Sequence, residues 1–404
     1  MNPDQKARKT RLNLFRLFFL LFFGGMGAII PFLTLHFREI GFSGVQISTL
    51  MMSSSLVLIL GAPQYGLLYD KSERKRLITV ISILLVMACV VSMIYVRAFA
   101  VVLILWTVQR AVNSSEISAL ENLSFQVADQ AETGRNGFGS VRLWGSLGFA
   151  AMALAGGWIY QNRDISVNGA VFAALLAASI LAFMTLPEDV FKKHTQTAAE
   201  EPLPIQGVLK LILRDRYLWL TVVALALTDT LQDGVRSFEP LFMQDLGLPE
   251  AAIGLASTLS ALGEVPIMLA ADRLIHKFGI SNVVLFIFGF DITRRLLVWF
   301  FPLPGLVFVL SVLTCVSFTL RLVCTVSLVN SRLPGRYTTT AMAFVAITLF
   351  GLGYIFSNAV SGQLYDLFGG RPLYLFSAGL GLFSLILALS ARRYEKQPAI
   401  PSAG

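Results

Sequence analysis

Long apolar runs separated by short polar stretches follow one another along the whole chain. Each run has about 20 residues or more, the length that an α-helix needs to cross the hydrocarbon core of a bilayer. The runs cover residues 12–37, 44–68, 77–96, 98–125, 138–160, 167–187, 216–243, 250–271, 280–301, 303–330, 337–361 and 370–391. The first run is too long for a signal-peptide core. The pattern therefore predicts an all-α membrane protein with twelve transmembrane helices.

A single long polar segment, residues 188–215, divides this pattern into two halves. We predict an N-terminal six-helix bundle over residues 1–187, a cytoplasmic linker over 188–215 and a C-terminal six-helix bundle over 216–404. The later part of the linker, GVLKLIL, predicts a short amphipathic helix at the membrane surface.

The two halves share a polar pattern that indicates pseudo-symmetric bundles. Asp70-Lys71-x-x-Arg74-Lys75 follows the second run, and Asp272-Arg273-x-x-His276-Lys277 follows the eighth, 202 residues later. Two related bundles around a site near the midplane of the membrane are the architecture of many secondary transporters.

The basic residues are distributed unevenly between the two sides of the predicted membrane. The chain is 55% hydrophobic and only 14% charged, with a net charge of +8. If the N-terminus is inside, 22 of the 32 Lys and Arg residues lie in inner segments or, as Arg16 and Arg216 do, at the inner ends of runs, against four in outer loops: Arg38, Arg97, Arg163 and Arg371. By the positive-inside rule, both termini of this multi-pass protein are predicted to be cytoplasmic, in the plasma or inner cell membrane. The excess of basic residues is thus explained by membrane topology. It indicates a lipid bilayer as the partner and does not indicate nucleic-acid binding.

Residue types with catalytic or metal-binding chemistry are scattered. Cys89, Cys315 and Cys324 all fall in apolar runs, which argues against a disulfide framework. The sequence has no phosphate-binding glycine motif and no nucleophile–base pattern. We predict a protein that is not an enzyme, needs no cofactor or metal, and acts as a monomer.

The stretch from Gln109 to Phe149 concentrates polar residues inside apolar runs. Arg110 and Glu121 are 11 residues apart, about 20° around a helix, so they share a face. Charged residues inside membrane helices are costly and usually face a protein interior or a water-filled cavity. The alternative is a set of ion pairs that only fix helix packing, although small residues achieve packing at lower cost. We predict a polar-ligand site formed by these residues: Glu121, Arg142, Arg110, Asn113 and Glu116. A family resemblance of the fifth run adds Trp144 and Phe149.

The second half carries its own intramembrane charges. Asp229, Asp233 and Arg236 fall within about 60° of one another at helical spacing. Glu264 precedes Pro266 in the eighth run, and Arg294 and Arg295 are adjacent in the ninth. Because neighbouring residues on a helix point in different directions, one of these two arginines is expected to snorkel outward.

The loop after the second run resembles the signature of the major facilitator superfamily. Gly66-x-x-x-Asp70-Lys71-x-Glu73-Arg74-Lys75 matches Gly-x-x-x-Asp-Arg/Lys-x-Gly-Arg-Arg/Lys, with Glu73 in place of the second glycine. In that family the loop closes the cytoplasmic side, and its acid faces a helix N-terminus. The resemblance implies a gating role for these residues: Gly66, Asp70, Lys71 and Arg74, with Asp272 and Arg273 as their counterparts.

A narrower resemblance links the fourth and fifth runs to the branch of lactose permease, phenylpropionate permease and nucleoside proton symporters. Residues 142–149, RLWGSLGF, are similar to a motif whose arginine pairs with an acid of the fourth helix. The resemblance implies that Arg142 pairs with Glu121 and that Phe149 stacks on the solute. Arg294 matches the arginine near the proton-binding acid. The histidine that the family usually offers in the tenth helix is absent, so Asp229, Asp233 or Glu264 would carry the proton.

These expectations describe a secondary transporter that moves a small polar or aromatic solute together with protons, by alternating access. Sugars, nucleosides and aromatic acids all remain open as solutes, and so does sodium as the coupling ion. A proton-driven exporter of drugs or metabolites is the alternative. A sensor with a transporter fold that does not transport is a third hypothesis, from a different class.

Overall fold

A computed structural model describes residues 3–60, 69, 72, 74–130, 135–187, 190, 205–345 and 351–396. These residues are almost entirely helical and contain no β-strand. The helices are α1 (Pro3–Ile29), α2 (Leu33–Glu39), α3 (Gly44–Leu60), α4 (Lys75–Tyr95), α5 (Phe99–Gln130), α6 (Arg135–Asn162), α7 (Ile165–Met184), α8 (Ile205–Arg214), α9 (Arg216–Asp245), α10 (Glu250–Phe278), α11 (Ile280–Phe300), α12 (Pro304–Val312), α13 (Thr314–Arg332), α14 (Gly335–Phe344), α15 (Gly351–Phe368) and α16 (Arg371–Arg392).

Within the described residues, seven stretches are long and apolar enough to cross a membrane by length and composition. They are Arg8–Glu39, Lys75–Tyr95, Val141–Asn162, Ile165–Met184, Glu250–Phe278, Pro304–Arg332 and Arg371–Arg392. Three other long helices, α5, α9 and α11, lie outside this set. Each carries charged side chains in its middle, such as Arg110, Asp229 and Asp291. Charged residues that the sequence proposed for the candidate site therefore lie partly on helices that length and composition alone do not mark as membrane spans.

The helix boundaries differ from the apolar runs where polar residues continue a helix. α5 extends to Gln130 and α6 begins at Arg135, so the connection between them is shorter than predicted. Hydropathy marks where a helix leaves the membrane, whereas the helix itself ends only where its backbone hydrogen bonds end. The first run is interrupted by one turn of 3-10 helix, Ile30–Phe32, that contains Pro31, because proline has no N–H to donate.

The linker contains the predicted short helix, which is confirmed as α8. Its apolar side packs on the protein: Ile212 is buried in a core cluster with Tyr217 and Leu218, whereas Lys210 is exposed. Part of the amphipathic pattern therefore reflects packing against α9 and α14.

The chain forms two compact units. Unit 1 comprises Met1–Phe42, Leu56–His194 and Leu248–Leu262. Unit 2 comprises Ser43–Ser55, Thr195–Gly247 and Gly263–Gly404. Two helices, α3 and α10, contribute residues to both units.

Unit 1 is built around α1, which packs on α6 and α7. Phenylalanines fill its core, and the rings of Phe18 and Phe183 lie 5.0 Å apart. A Cβ at Gly148 would overlap the backbone oxygen of Leu20, so only glycine allows α1 and α6 to approach this closely. The buried amide of Asn168 donates to the backbone oxygens of Ala28 and Gly156, at 2.8 and 2.9 Å, and joins α7 to both helices.

Unit 2 is built around α9, which packs on α15 and α16, and around α11, which packs on α13 and α16. Its apolar core includes Leu225, Phe288 and Leu328, all fully buried. Polar and charged side chains of the same helices are also buried, and their partners define the second part of the candidate site.

Candidate functional site

In unit 1, Arg142 and Glu121 form an ion pair between α6 and α5. The distance between Arg142 Nη1 and Glu121 Oε1 is 2.6 Å, and the two side chains are 48% and 34% exposed. Among the described residues this is the only hydrogen bond that Arg142 makes, although its guanidinium carries five N–H donors. Since the side chain is 48% exposed, its remaining donors are not enclosed by the described part of the unit.

An aromatic ring adjoins this pair. The guanidinium of Arg142 lies 5.4 Å from the centroid of the Phe23 ring. Trp144, two residues after Arg142, is 41% exposed and lies about 160° away around α6. Phe149 is half-buried. Arginine over an aromatic face is attracted to the electron-rich ring, so Phe23 helps to orient the guanidinium. The sequence pattern offered no signal for Phe23, because it stands in a run of phenylalanines.

The predicted stripe of Gln109, Asn113 and Glu116 lies on a different face of α5. All three side chains are buried, with 3%, 3% and 0% exposed. Arg110 and Glu121 are half-buried on the neighbouring face, and the guanidinium of Arg110 lies 5.8 Å from the Trp106 ring centroid. The structure thus brings Glu121 and Arg142 together at an accessible position and places Asn113 and Glu116 in the interior.

In unit 2, Arg321 of α13 joins two residues of α9. Its Nη2 lies 2.5 Å from Asp229 Oδ1, and its Nη1 donates to Gln232 Oε1 at 2.6 Å. The hydroxyl of Tyr354 also donates to Asp229. The sequence suggested Arg236 as the neighbour of Asp229, but Arg236 is exposed and lies over the Phe318 ring.

Asp291 lies at the centre of three buried arginines. Its carboxylate is 3.8 Å from Arg294, 3.6 Å from Arg295 and 3.9 Å from Arg321. Arg294 also lies 3.8 Å from Glu239 of α9. The expectation that Arg294 or Arg295 snorkels outward is wrong, since they are 3% and 0% exposed. Both reach Asp291 because it precedes them by one helical turn, at i−3 and i−4.

The other predicted coupling residues have separate environments. Asn358 of α15 donates to Asp233 Oδ2 at 2.8 Å. Glu264 is half-buried on α10. Asp229, Asp233 and Arg294 therefore lie in one polar region of unit 2 formed by α9, α11, α13 and α15.

The predicted gating residues fall mostly outside the described residues. Gly66, Asp70 and Lys71 are among those not described. Arg74 is exposed and precedes α4, where its backbone N–H donates to Ser72 Oγ at 3.0 Å. Asp272 and Arg273 are exposed on α10, two turns before that helix ends.

Sequence reasoning missed the acids and amides that complete unit 2. Asp291, Glu239 and Asn358 were not singled out, although each is an intramembrane polar residue. The spacing of Asp291 to Arg294 and Arg295 was a usable signal, because i,i+3 and i,i+4 pairs meet on a helix. Glu239 and Asn358 gave no such signal, since their partners lie on other helices.

A helical protein with charged residues buried inside apolar helices of both units has the construction of a polytopic membrane transport protein. Comparisons with known proteins agree. Maltose permease of Geobacillus stearothermophilus is 29% identical over 392 residues, which cover 96% of this chain and 95% of that protein. The uncharacterized transporter YwbF of Bacillus subtilis (strain 168) is 25% identical over 396 residues, 95% of each chain.

A solved structure of the nucleoside transporter NupG shares the fold, with a TM-score of 0.80 at 16% identity, covering 96% of this chain and all of that one. This likeness confirms the predicted twelve-helix fold. The model described as the MFS_1 like family matches residues 12–376. The chain therefore belongs to that family, within the major facilitator superfamily of transporters, and its role is the movement of a small solute across a membrane.

Proposed function

We propose that the protein is a proton-coupled symporter that imports a small sugar by alternating access. The observation that carries this proposal is the half-exposed pair of Arg142 and Glu121, 2.6 Å apart, with the Phe23 ring beside the guanidinium. Sugar hydroxyls both donate and accept hydrogen bonds. A guanidinium that donates and a carboxylate that accepts can therefore bind neighbouring hydroxyls of one ring.

A sugar is preferred over the other solutes that the sequence left open because of the relatives. The maltose permease matches this chain over nearly its full length at 29% identity, whereas NupG matches at 16%. The exposed Trp144 and the half-buried Phe149 supply aromatic faces that suit the apolar face of a sugar ring. Arg110 completes the predicted site on the half-buried face of α5.

Coupling to protons is proposed from the intramembrane acids. In unit 2, the candidates are Asp229, Asp233 and Glu264. Arg294 matches the family arginine near the proton-binding acid, and it lies in the same polar region as both aspartates. Acids of this kind act as proton relays in transporters. Two six-helix bundles, 1–187 and 216–404, would provide the alternating access, and the loop with Gly66, Asp70, Lys71 and Arg74 would gate it.

The experiment is uptake into proteoliposomes that contain the purified protein, with an imposed pH gradient. Labelled maltose, a nucleoside and an aromatic carboxylate are compared, with and without the gradient and with a protonophore. We expect maltose or a related sugar to accumulate above its outside concentration only when the interior is alkaline. The matched control is Arg142→Ala, which should bind and transport little sugar while keeping the melting temperature of the parent.

Each other outcome would change the assignment. Accumulation of only the nucleoside or the carboxylate would replace the sugar as the solute. Efflux driven by the gradient would indicate an exporter, and binding without transport would indicate a sensor.

A further inference from the structure

The interior of unit 1 contains an acid, Glu116, that pairs with no basic side chain among the described residues. Glu116 on α5 has no exposed surface, and neither carboxyl oxygen has a hydrogen-bond partner among the described residues. Asn113 and Gln109 lie one and two turns earlier on the same face, and the side-chain oxygen of each also lacks a partner there. Burying a polar group without a hydrogen bond costs free energy, and burying an ionised carboxylate without a counter-charge costs far more.

The other buried acids in the described part of the chain are compensated. Asp215 lies 3.8 Å from Arg332 and accepts the backbone N–H of Leu218 at 2.9 Å. Asp291 has three guanidinium groups between 3.6 and 3.9 Å away. Each of these carboxylates therefore has at least one guanidinium within 4 Å. Glu116 has no group within the described residues that would stabilise its charged form.

In the described part of the chain, the three helices that pack most extensively on α5 place no cation in the middle of the unit. These are α1, α4 and α6. Up to the C-terminal end of each helix, α1 has no charged side chain after Arg16, α4 has none after Arg76 and α6 has none after Arg142. The titratable groups that remain on them, and on α2 where Phe37 contacts Trp106, are Cys89, Tyr95, Tyr160, His36, Arg38 and Glu39.

The two arginines nearest in sequence are directed elsewhere. Arg142 is paired with Glu121. Arg110 precedes Glu116 by six residues on α5, which places it about 120° away around the helix, and its guanidinium lies over the Trp106 ring.

We propose that Glu116 is a proton-binding site in unit 1, neutral in this conformation, that carries a coupling proton of the symporter. The inference rests on the proton symport proposed above. A neutral carboxylic acid has one O–H donor, and the side-chain carbonyl oxygen of Asn113, three residues earlier on the same face, can accept it. Protonation thus provides the hydrogen bond that the ionised form cannot make.

The position of Glu116 links its proton to the ligand pair. Glu116 and Glu121 are five residues apart on one continuous helix, about 7.5 Å along its axis. A movement of α5 that opens the Glu116 face to water favours the ionised form, and the proton leaves to water as the carboxylate forms. Return of the helix to the buried position requires a proton to bind again. Proton binding and the arrangement of Glu121 are therefore coupled through α5.

The first test uses infrared spectroscopy and does not depend on transport. Purified protein in liposomes at neutral pH should show a protonated-carboxyl signal that is lost in Glu116→Gln. Asp215→Asn is the matched control, because it removes a buried but paired acid, and the signal should persist there. If Glu116→Gln instead removes an ionised-carboxylate signal, Glu116 is charged and the inference is overturned.

The second test measures coupling. Glu116→Gln should abolish accumulation of sugar against a gradient, to a ratio of about one, while exchange of labelled for unlabelled sugar continues. Glu116→Asp should restore accumulation, at a lower rate. If Glu116→Gln accumulates sugar as well as the parent does, the inference is overturned. If, in that case, neutralising Asp229, Asp233 or Glu264 uncouples transport, the proposed function still stands.

Two further outcomes are distinct. If sodium raises accumulation at fixed pH in the parent and not in Glu116→Gln, the site binds a metal cation, and the proton assignment is overturned. If the parent accumulates no sugar under any pH gradient, the proposed function fails, and the coupling role of Glu116 fails with it. The infrared signal then still shows whether Glu116 is a neutral buried acid.

Discussion

At the scale of single residues, the two units use arginine in different ways. Arg142 is half exposed and donates one hydrogen bond to Glu121. Arg294 and Arg295 are buried, and their charges are opposed by Asp291 within 4 Å. A guanidinium with unused donors is suited to a ligand, whereas one enclosed by acids is suited to holding helices together.

Substitutions of the exposed pair should reduce affinity and leave stability unchanged. We expect Arg142→Lys and Glu121→Gln each to weaken sugar binding by more than tenfold, about 1.4 kcal/mol or more, because an ammonium cannot reproduce the planar fork and an amide removes the charge. Affinity and melting temperature are measured on the same purified variants, with Arg163→Lys, in an exposed loop, as control. Unchanged affinity with a lowered melting temperature would make this pair a packing element only.

The buried network should show the opposite behaviour. Asp291→Asn leaves three arginines around a neutral amide, and breaking a buried ion pair from one side typically costs about 3–5 kcal/mol. We expect a marked fall in melting temperature, and partial recovery in the double variant Asp291→Asn/Arg295→Met, which also removes the excess charge. Asp245→Asn is the control. A double variant that melts below the single one would contradict the charge argument.

At the scale of elements, close helix contacts depend on the absence of side chains. A Cβ at Gly254 on α10 would overlap the backbone oxygen of Ala153 on α6, whereas a Cβ at Gly289 on α11 would meet nothing within 4 Å. We expect Gly254→Ala to destabilise by about 1–3 kcal/mol. Gly289→Ala should be neutral or slightly stabilising, because alanine loses less backbone entropy on folding. The measurement is the melting temperature of each variant and of the parent. Equal effects at the two positions would exclude the steric explanation.

The N-terminus of α7 is capped by Asp164, which lies in the loop after α6. Its carboxylate accepts the backbone N–H of Ser166 at 2.7 Å, and this hydrogen bond lowers the pKa of Asp164 from its ordinary value of 3.8. A depressed folded-state pKa contributes stability above the unfolded value, and that contribution is lost as the pH falls through the folded value. The cap therefore stabilises at neutral pH and weakens below about pH 4.

Two variants of Asp164 separate capping from charge. Asp164→Ala should cost about 1 kcal/mol at neutral pH, whereas Asp164→Asn should keep most of the cap and lose its pH dependence. Melting temperatures at pH 7 and at acidic pH are compared with the parent. If Asp164→Ala equals the parent at pH 7, the cap does not contribute.

Apolar periodicity predicted the elements because each helix in a membrane must satisfy its own backbone hydrogen bonds. It could not predict where polar residues continue a helix beyond the membrane, as they do from Gln126 to Gln130 in α5. It also gave α10 and α11 as single spans without indicating that α10 contributes to both units.

At the scale of the whole molecule, the sequence predicted one ion pair of the candidate site and missed a network. Glu121 and Arg142 were paired through a resemblance that covers adjacent helices. The contacts of Asp229 with Arg321 and Tyr354 join residues 92 and 125 positions apart, and helical periodicity does not define which helices are neighbours. Glu116 was predicted to line the ligand site because its type and spacing fit. Helical spacing separates its face of α5 from that of Glu121, but only burial shows that the Glu116 face is the interior one.

The last prediction concerns the orientation of the whole molecule, which the distribution of basic residues indicates. Arg97 lies between α4 and α5, and Arg392 ends α16, and both are exposed. Nine of the twelve predicted spans separate them, so they must lie on opposite sides of the membrane. The positive-inside rule places Arg392 in the cytoplasm.

Single cysteines test this orientation, because the native ones interfere little: Cys89, Cys315 and Cys324 are at most 5% exposed. We expect a membrane-impermeant maleimide to label Arg97→Cys in intact cells and Arg392→Cys only after the cells are opened. The unsubstituted chain, with its buried thiols, is the control. The reverse pattern would place both termini outside and invert the direction of solute movement inferred for a given pH gradient. Equal labelling of both variants in intact cells would contradict the odd number of spans between them.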